Sequence, residues 1–279
     1  KELLQSGTVK LIIGYAAVGS NRTKPFIART VEDAEKLVFN KYCVNNLAVY
    51  LTKKEYKRNG TIGIVAKGCD VKAVVQLIQE NQINKDDVYI IGINCNGVVG
   101  ELGNEFSNET IANKCLTCAV RTPHLHHTLL GTIEEIPPKQ NKYFETIQKL
   151  EAMSAEERWK FWEGEFERCV KCYACRQACP MCYCERCIAD KSVPRWIESS
   201  AHTRGNFAWN MIRAFHLGGR CVGCGECERA CPAGIPLSLL NMKLGIVAKK
   251  EFDYTPGMGL DTPTLVGNYD VKDREDFIK

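Results

Sequence analysis

Short apolar runs and helix-like segments take turns along the first third of the chain. Thr8–Ile13 (TVKLII), Thr61–Ala66 (TIGIVA) and Val88–Asn94 (VYIIGIN) are continuous apolar runs suited to buried strands. Between the last two lies Asp70–Glu80 (DVKAVVQLIQE), which reads as a helix opened by Asp70 as its cap. Thr30–Phe39 (TVEDAEKLVF) reads as an earlier helix, with Thr30 as N-cap. Strand, helix and strand at this spacing predict a βαβ unit in a partly parallel sheet.

The pattern changes after Pro137 and Pro138. Lys142–Glu151 and Ala155–Arg168 are predicted helices, the second opened by a Ser154…Glu157 capping box. Trp159, Phe161, Trp162 and Phe166 give that helix an apolar body of the kind that builds a core. Phe207–His216 (FAWNMIRAFH) is a further helix, and residues 251–279 show little periodicity and suit an extended tail that lies on a partner. The predicted organisation is an α/β cluster-binding domain over 1–136 with a partly parallel sheet, a mainly α-helical two-cluster module over 137–250, and a tail over 251–279.

Composition adds the chemistry. The chain has 279 residues and 16 cysteines. It has no apolar secretory segment at its start, and its cysteines cluster with metal-ligand spacing rather than as a disulfide framework. A reducing, anaerobic cytoplasm is therefore expected. No run of 18 apolar residues occurs, so no membrane span is expected. The sequence begins at Lys1 rather than Met, so residues upstream are expected. The formal charge of +4 comes from dispersed basic residues, with no arginine-rich strip that would mark a nucleic-acid partner.

Two cysteine runs share one spacing. Cys169, Cys172, Cys175 and Cys179 precede Pro180, and Cys221, Cys224, Cys227 and Cys231 precede Pro232. Each reads C-x2-C-x2-C-x3-C-P, the ligand run of two-cluster ferredoxins, in which the fourth cysteine ligates the other cluster. One 4Fe–4S cluster is assigned to Cys169, Cys172, Cys175 and Cys231, the second to Cys221, Cys224, Cys227 and Cys179. Structural zinc is the alternative, although zinc sites seldom repeat this spacing. The 41 residues between Cys179 and Cys221 are too many for a minimal ferredoxin loop.

Eight cysteines remain. Cys69 lies where a strand gives way to a helix, Cys95 ends the next strand, and Cys115 and Cys118 form a C-x2-C turn. Successive strand ends of an α/β sheet share one edge, so these four are predicted to hold a third 4Fe–4S cluster. Zinc, a reactive Cys69 or ordinary buried thiols are the alternatives. Cys182, Cys184 and Cys187 form C-x-C-x2-C directly after Cys179-Pro180. With Cys43 they make a fourth set, either a 4Fe–4S cluster or zinc, with His202 as an alternative fourth ligand. His124, His126 and His127 read as a packed or solvated loop, and His202 and His216 as packing groups. Gly14–Gly19 lacks G-x-G-x-x-G, so nucleotide binding there is not the leading reading. No catalytic triad, P-loop or paired-carboxylate signature is evident.

Ile64–Ile78 (IVAKGCDVKAVVQLI), Ile90–Val98 (IIGINCNGV) and Lys114–Cys118 (KCLTC) resemble the beta-subunit family of deazaflavin-coenzyme-reducing hydrogenases and formate dehydrogenases, over residues 60 to 120. That resemblance implies a 4Fe–4S cluster, a flavin, and electron exchange with a deazaflavin coenzyme. The C-terminal module resembles the iron–sulfur subunits of heterodisulfide reductases and succinate dehydrogenases. The arrangement as a whole resembles accessory subunits of heterodisulfide-reductase-like, electron-bifurcating complexes. The expected function is therefore an electron-transfer subunit between a flavin-bearing bifurcating partner and a catalytic dehydrogenase or reductase. The alternative is a flavin-containing subunit that itself reduces or oxidises a deazaflavin or nicotinamide cofactor.

Overall fold

A computed structural model of the chain describes residues 1–57, 60–116, 118–133, 142–269 and 271–272. The N-terminal half is built on a five-stranded sheet of β1 (Leu11–Ala17), β2 (Thr23–Ala28), β3 (Ile62–Ala66), β4 (Val88–Ile93) and β5 (Thr128–Leu130) in the order β2-β1-β3-β4-β5. β1, β3, β4 and β5 run parallel, and β2 returns antiparallel at the edge. The helix α1 (Gly68–Gln79) joins β3 to β4, so the predicted βαβ unit is present. Leu11, Ile13, Ile64 and Ile90 pack against Val71, Val74 and Leu77 in one apolar core.

Several local expectations change. The first strand begins later than predicted and continues through Gly14 into a hairpin, with Val18 N–H bonded to Arg22 O. Gly14–Gly19 is thus strand and hairpin turn. Thr30 does cap a helix, accepting from Asp33 N at 3.1 Å, but that helix stops at Ala34. The chain then leaves it to reach the sheet, where Val38 N bonds Tyr15 O. Asp70 sits at the third position of α1 rather than at its cap, and accepts from the N–H of the capping residue Lys67.

The C-terminal half is helical. It comprises α2 (Lys142–Ala152), α3 (Ala155–Glu167), α4 (Thr203–His216) and α5 (Leu237–Phe252). The Ser154/Glu157 capping box closes in both directions. α3 packs on α4, with Trp159 against Phe207 at 4.2 Å and Phe166 against Phe207 at 5.6 Å; Phe166 is core, Phe161 and Trp162 are half-buried, and Trp159 is exposed. Pro137 and Pro138 lie outside the described residues, as do 273–279 of the tail. The described tail does not stand free: Gln79 of α1 donates to Gly259 O and Thr262 O, and Tyr254 donates to Gln76. The two halves are further clamped by Glu80 and Arg220, whose Nε and Nη2 each donate at 2.7 Å. Among the described residues, no helix is long and apolar enough to cross a membrane.

Candidate metal centres around a cysteine-lined cavity

The two ferredoxin-like runs share a backbone as well as a spacing. Lys171 and Tyr173 have φ of 50° and 59°, and the equivalent Gly223 and Gly225 have 73° and 68°. Left-handed residues at alternating positions turn successive N–H groups inward, into a concavity suited to a negatively charged group. Glycine adopts this freely, whereas Lys171 and Tyr173 carry a cost of about 1–3 kcal/mol each. The surroundings hold them there: Lys171 Nζ bonds Glu198 O, and the Tyr173 ring meets Trp209 edge-on at 4.9 Å. Each run ends in one helical turn, Ala174–Gln177 and Glu226–Arg229, and these turns pack together.

Cys169, Cys172, Cys175 and Cys231 line one small cleft, closed by Trp209, Ile235 and Leu237. Phe166, Trp162 and Phe207 pack behind it. Asn206 secures its first loop by donating to Cys169 O at 2.7 Å.

A second, larger cavity of about 700 Å³ opens between the two halves. Cys179, Cys221, Cys224 and Cys227 line it from the helical side, and Cys69, Cys95, Cys115 and Cys118 from the sheet side. Cys69 rides on the first turn of α1 and Cys95 follows β4, so the common edge read from the sequence is where these thiols lie. Gly68 permits this: a Cβ there would stand 1.7 Å from Val120 O, in the segment that carries Cys118.

The electrostatics were not legible in the sequence. Burial pushes up the thiols of Cys69, Cys95, Cys115, Cys221 and Cys224, and that of Cys227 to about 12. Such thiols are neutral at ordinary pH unless a metal takes the proton's place. Buried cations nevertheless surround them. Lys67 is 2 % exposed and pairs with Asp70 at 2.8 Å, while Lys114 reaches Cys224 O at 2.8 Å and lies 3.6 Å from Glu226. Asn241 donates to Cys227 Sγ at 3.6 Å, and Arg213 lies buried among Cys175, Cys179, Cys182 and Cys227 with its Nε unbonded. Thiols lining common cavities, inward amides and a buried guanidinium whose Nε is unbonded fit an anionic iron–sulfur centre. Among the described residues, no three His, Cys, Asp or Glu side chains converge on one point as a single metal ion requires.

The fourth set is placed differently. Cys43 is fully buried in the sheet-side core, where its sulfur meets Asn40 and Val38 O. None of Cys182, Cys184 and Cys187 is among its hydrogen-bond partners. Cys182 is hydrogen-bonded to Cys179, Cys187 lies beside Arg176, and Cys184 is exposed. His202 caps α4, its Nδ1 accepting from Gly205 N. The three clustered histidines are exposed, and two of them meet separate backbone groups, His126 at Pro123 O and His127 at Ile90 N.

A helical module with two cysteine runs, set on an α/β unit with thiols at its carboxyl edge, is the arrangement to be compared with known proteins, and the similar proteins are subunits of an oxidoreductase complex. The chain is 25% identical to the F420-dependent formate dehydrogenase subunit beta of Methanocaldococcus jannaschii, across 78% of each chain. It is 22% identical to subunit beta of the F420-dependent formate dehydrogenase 1 of Methanococcus maripaludis, across 77% of each. The resemblance to the beta-subunit family thus extends well beyond residues 60 to 120. No family model matches the chain.

Proposed function

We propose that this chain is an iron–sulfur electron-transfer subunit of a cytoplasmic, anaerobic oxidoreductase complex. Its relatives are named as beta subunits of F420-dependent formate dehydrogenases, which supports a catalytic dehydrogenase partner for this chain too. The single observation that carries the reading is the repeated loop: two cysteine runs with one spacing and one left-handed backbone pattern, each beside a cleft. The clusters, when bound, supply one-electron redox chemistry. The protein's own part is to hold and orient the ligands. Cys169, Cys172, Cys175 and Cys231 would hold one cluster and Cys221, Cys224, Cys227 and Cys179 the next. Cys69, Cys95, Cys115 and Cys118 would hold a third in the same cavity as the second. Cys182, Cys184 and Cys187 would be ligands of a candidate fourth site for a cluster or zinc. A linear relay of this kind suits the one-electron branch of a flavin-based bifurcating, heterodisulfide-reductase-like assembly, fed by a flavin-bearing subunit.

The cavity supports a second reading. It extends past the thiols to Tyr143, Ser238, Met242 and Ile246, a mixed apolar and hydroxyl wall with room for an organic cofactor. A flavin seated there would make this chain itself the reductant or oxidant of a deazaflavin or nicotinamide cofactor. Iron, sulfide, zinc and flavin per chain, measured on anaerobically purified protein, separate the readings. About twelve to sixteen iron without flavin supports the relay. Stoichiometric flavin supports the second reading, and zinc in place of iron overturns both.

A further inference from the structure

The relay reading leaves one buried charge without a role. Arg213 lies in the last turn of α4 and is 4 % exposed. An ordinary buried arginine pairs with a carboxylate, because an uncompensated charge away from water is costly. No carboxylate pairs with Arg213 among the described residues. Its Nη2 donates to Cys175 O at 3.1 Å, its side chain is hydrogen-bonded to the Cys182 sulfur, and its Nε has no partner. The groups acting on it most strongly are the sulfurs of Cys179, Cys227, Cys182 and Cys175. Those residues divide between two sites: Cys175 belongs to the small cleft, and Cys179 and Cys227 to the large cavity.

We propose that Arg213 is the shared counter-charge of the two ferredoxin-type sites, raising the reduction potential of both. The inference rests on the reading that both runs hold 4Fe–4S clusters. Each such cluster takes up one electron and no bond is made or broken, so each site becomes one unit more negative. A fixed cation between them favours the more negative state of either. It also screens the second electron from the first, so that neighbouring sites can both be reduced. Arg213 touches no substrate and acts as a positioning and charge-compensating residue.

The test is a dithionite redox titration of the full chain, followed by electron paramagnetic resonance, alongside iron analysis. Arg213→Gln keeps a donor but loses the charge. It is expected to shift the reduction equilibrium of both clusters at least tenfold toward the oxidised form, a fall of about 59 mV or more. Arg213→Lys keeps the charge and is expected to hold both midpoints near those of the wild-type protein. Unchanged midpoints in Arg213→Gln, or an Arg213→Lys variant as shifted as the Gln variant, overturn the inference. Should Arg213→Gln lose its iron, Arg213→Lys decides: wild-type iron and midpoints support the charge role, and their loss overturns it. Wild-type protein that carries no iron in the two runs overturns the relay reading, and this inference with it.

Discussion

The Lys67 ammonium lies 2.8 Å from the carboxylate of Asp70, and neither residue is more than 2 % exposed. This pair ties the start of α1 to its surroundings. Asp70 also accepts from Leu47 N at 2.9 Å and Lys67 N at 2.8 Å, while Lys67 donates to Asn45 O and the Tyr15 hydroxyl. Breaking a buried pair by removing one partner strands the other charge, typically at about 3–5 kcal/mol. Asp70→Asn is therefore expected to lower the denaturant midpoint by a corresponding amount. A joint Lys67→Met and Asp70→Leu exchange should recover much of it. A midpoint within experimental error of the wild-type value for Asp70→Asn would show that the pair does not hold α1 in place.

Gly68 offers a sharper test of the sheet-side site. A Cβ 1.7 Å from Val120 O forces the Cys118 segment away from α1. Overpacking of this kind costs about 1–3 kcal/mol, which the fold should survive. Gly68→Ala is expected to lose about four iron per chain and to keep the ferredoxin-type signals. Retention of full iron would remove Cys69 and Cys118 from a common centre.

Cys43 and Cys184 separate burial from ligation. With Cys43 seated at Asn40 and Val38, Cys43→Ala is expected to leave iron and zinc unchanged and to cost stability alone. Cys184→Ser should lose whatever metal the outer C-x-C-x2-C holds and spare the ferredoxin pair. A loss of metal in Cys43→Ala, read by elemental analysis, would restore it to the fourth set.

The Glu80–Arg220 clamp predicts an acid response. Burial opposes the charge on Glu80, but hydrogen bonds from Arg220, Tyr183 and Gln76 outweigh it and hold the carboxyl below its usual value of 4.5. A depressed folded value means the stabilisation is complete above pH 4.5 and fades as pH falls through the folded value. Charged hydrogen bonds of this kind contribute about 1.5–3 kcal/mol. Between pH 6 and pH 3 the wild-type thermal midpoint should fall further than that of Arg220→Met, which has no clamp to lose. Parallel curves would assign the acid response to other groups.

The sequence exposed its repeats and hid its charges. Three apolar runs and Asp70–Glu80 were enough to locate β3, α1 and β4, because buried parallel strands are apolar throughout. The edge strand β2 escaped because Pro25 and its mixed polarity belong to a strand with a free side. β5 is only three residues long. The C-x2-C-x2-C-x3-C-P spacing identified sets whose members line common clefts, since local spacing fixes local geometry. Assigning Cys43 by remainder had no such basis: one thiol far along the chain reads the same whether it lies in a core or on a metal. Lys67, Lys114 and Arg213 carried no signal either. A lysine or arginine in a sequence looks solvated until the fold buries it.

The large cavity has a consequence for assembly. Its walls join Cys69 and Cys95 to Cys221 and to Thr262, and the bond from Gln79 to Thr262 O spans 183 positions of sequence. Contacts this distant close late, because the loop entropy must be overcome before they contribute. The topology thus favours an order in which the sheet and helices form before the tail docks beside the cavity. Residues that face one another across the cavity therefore depend on contacts between the two halves of the chain.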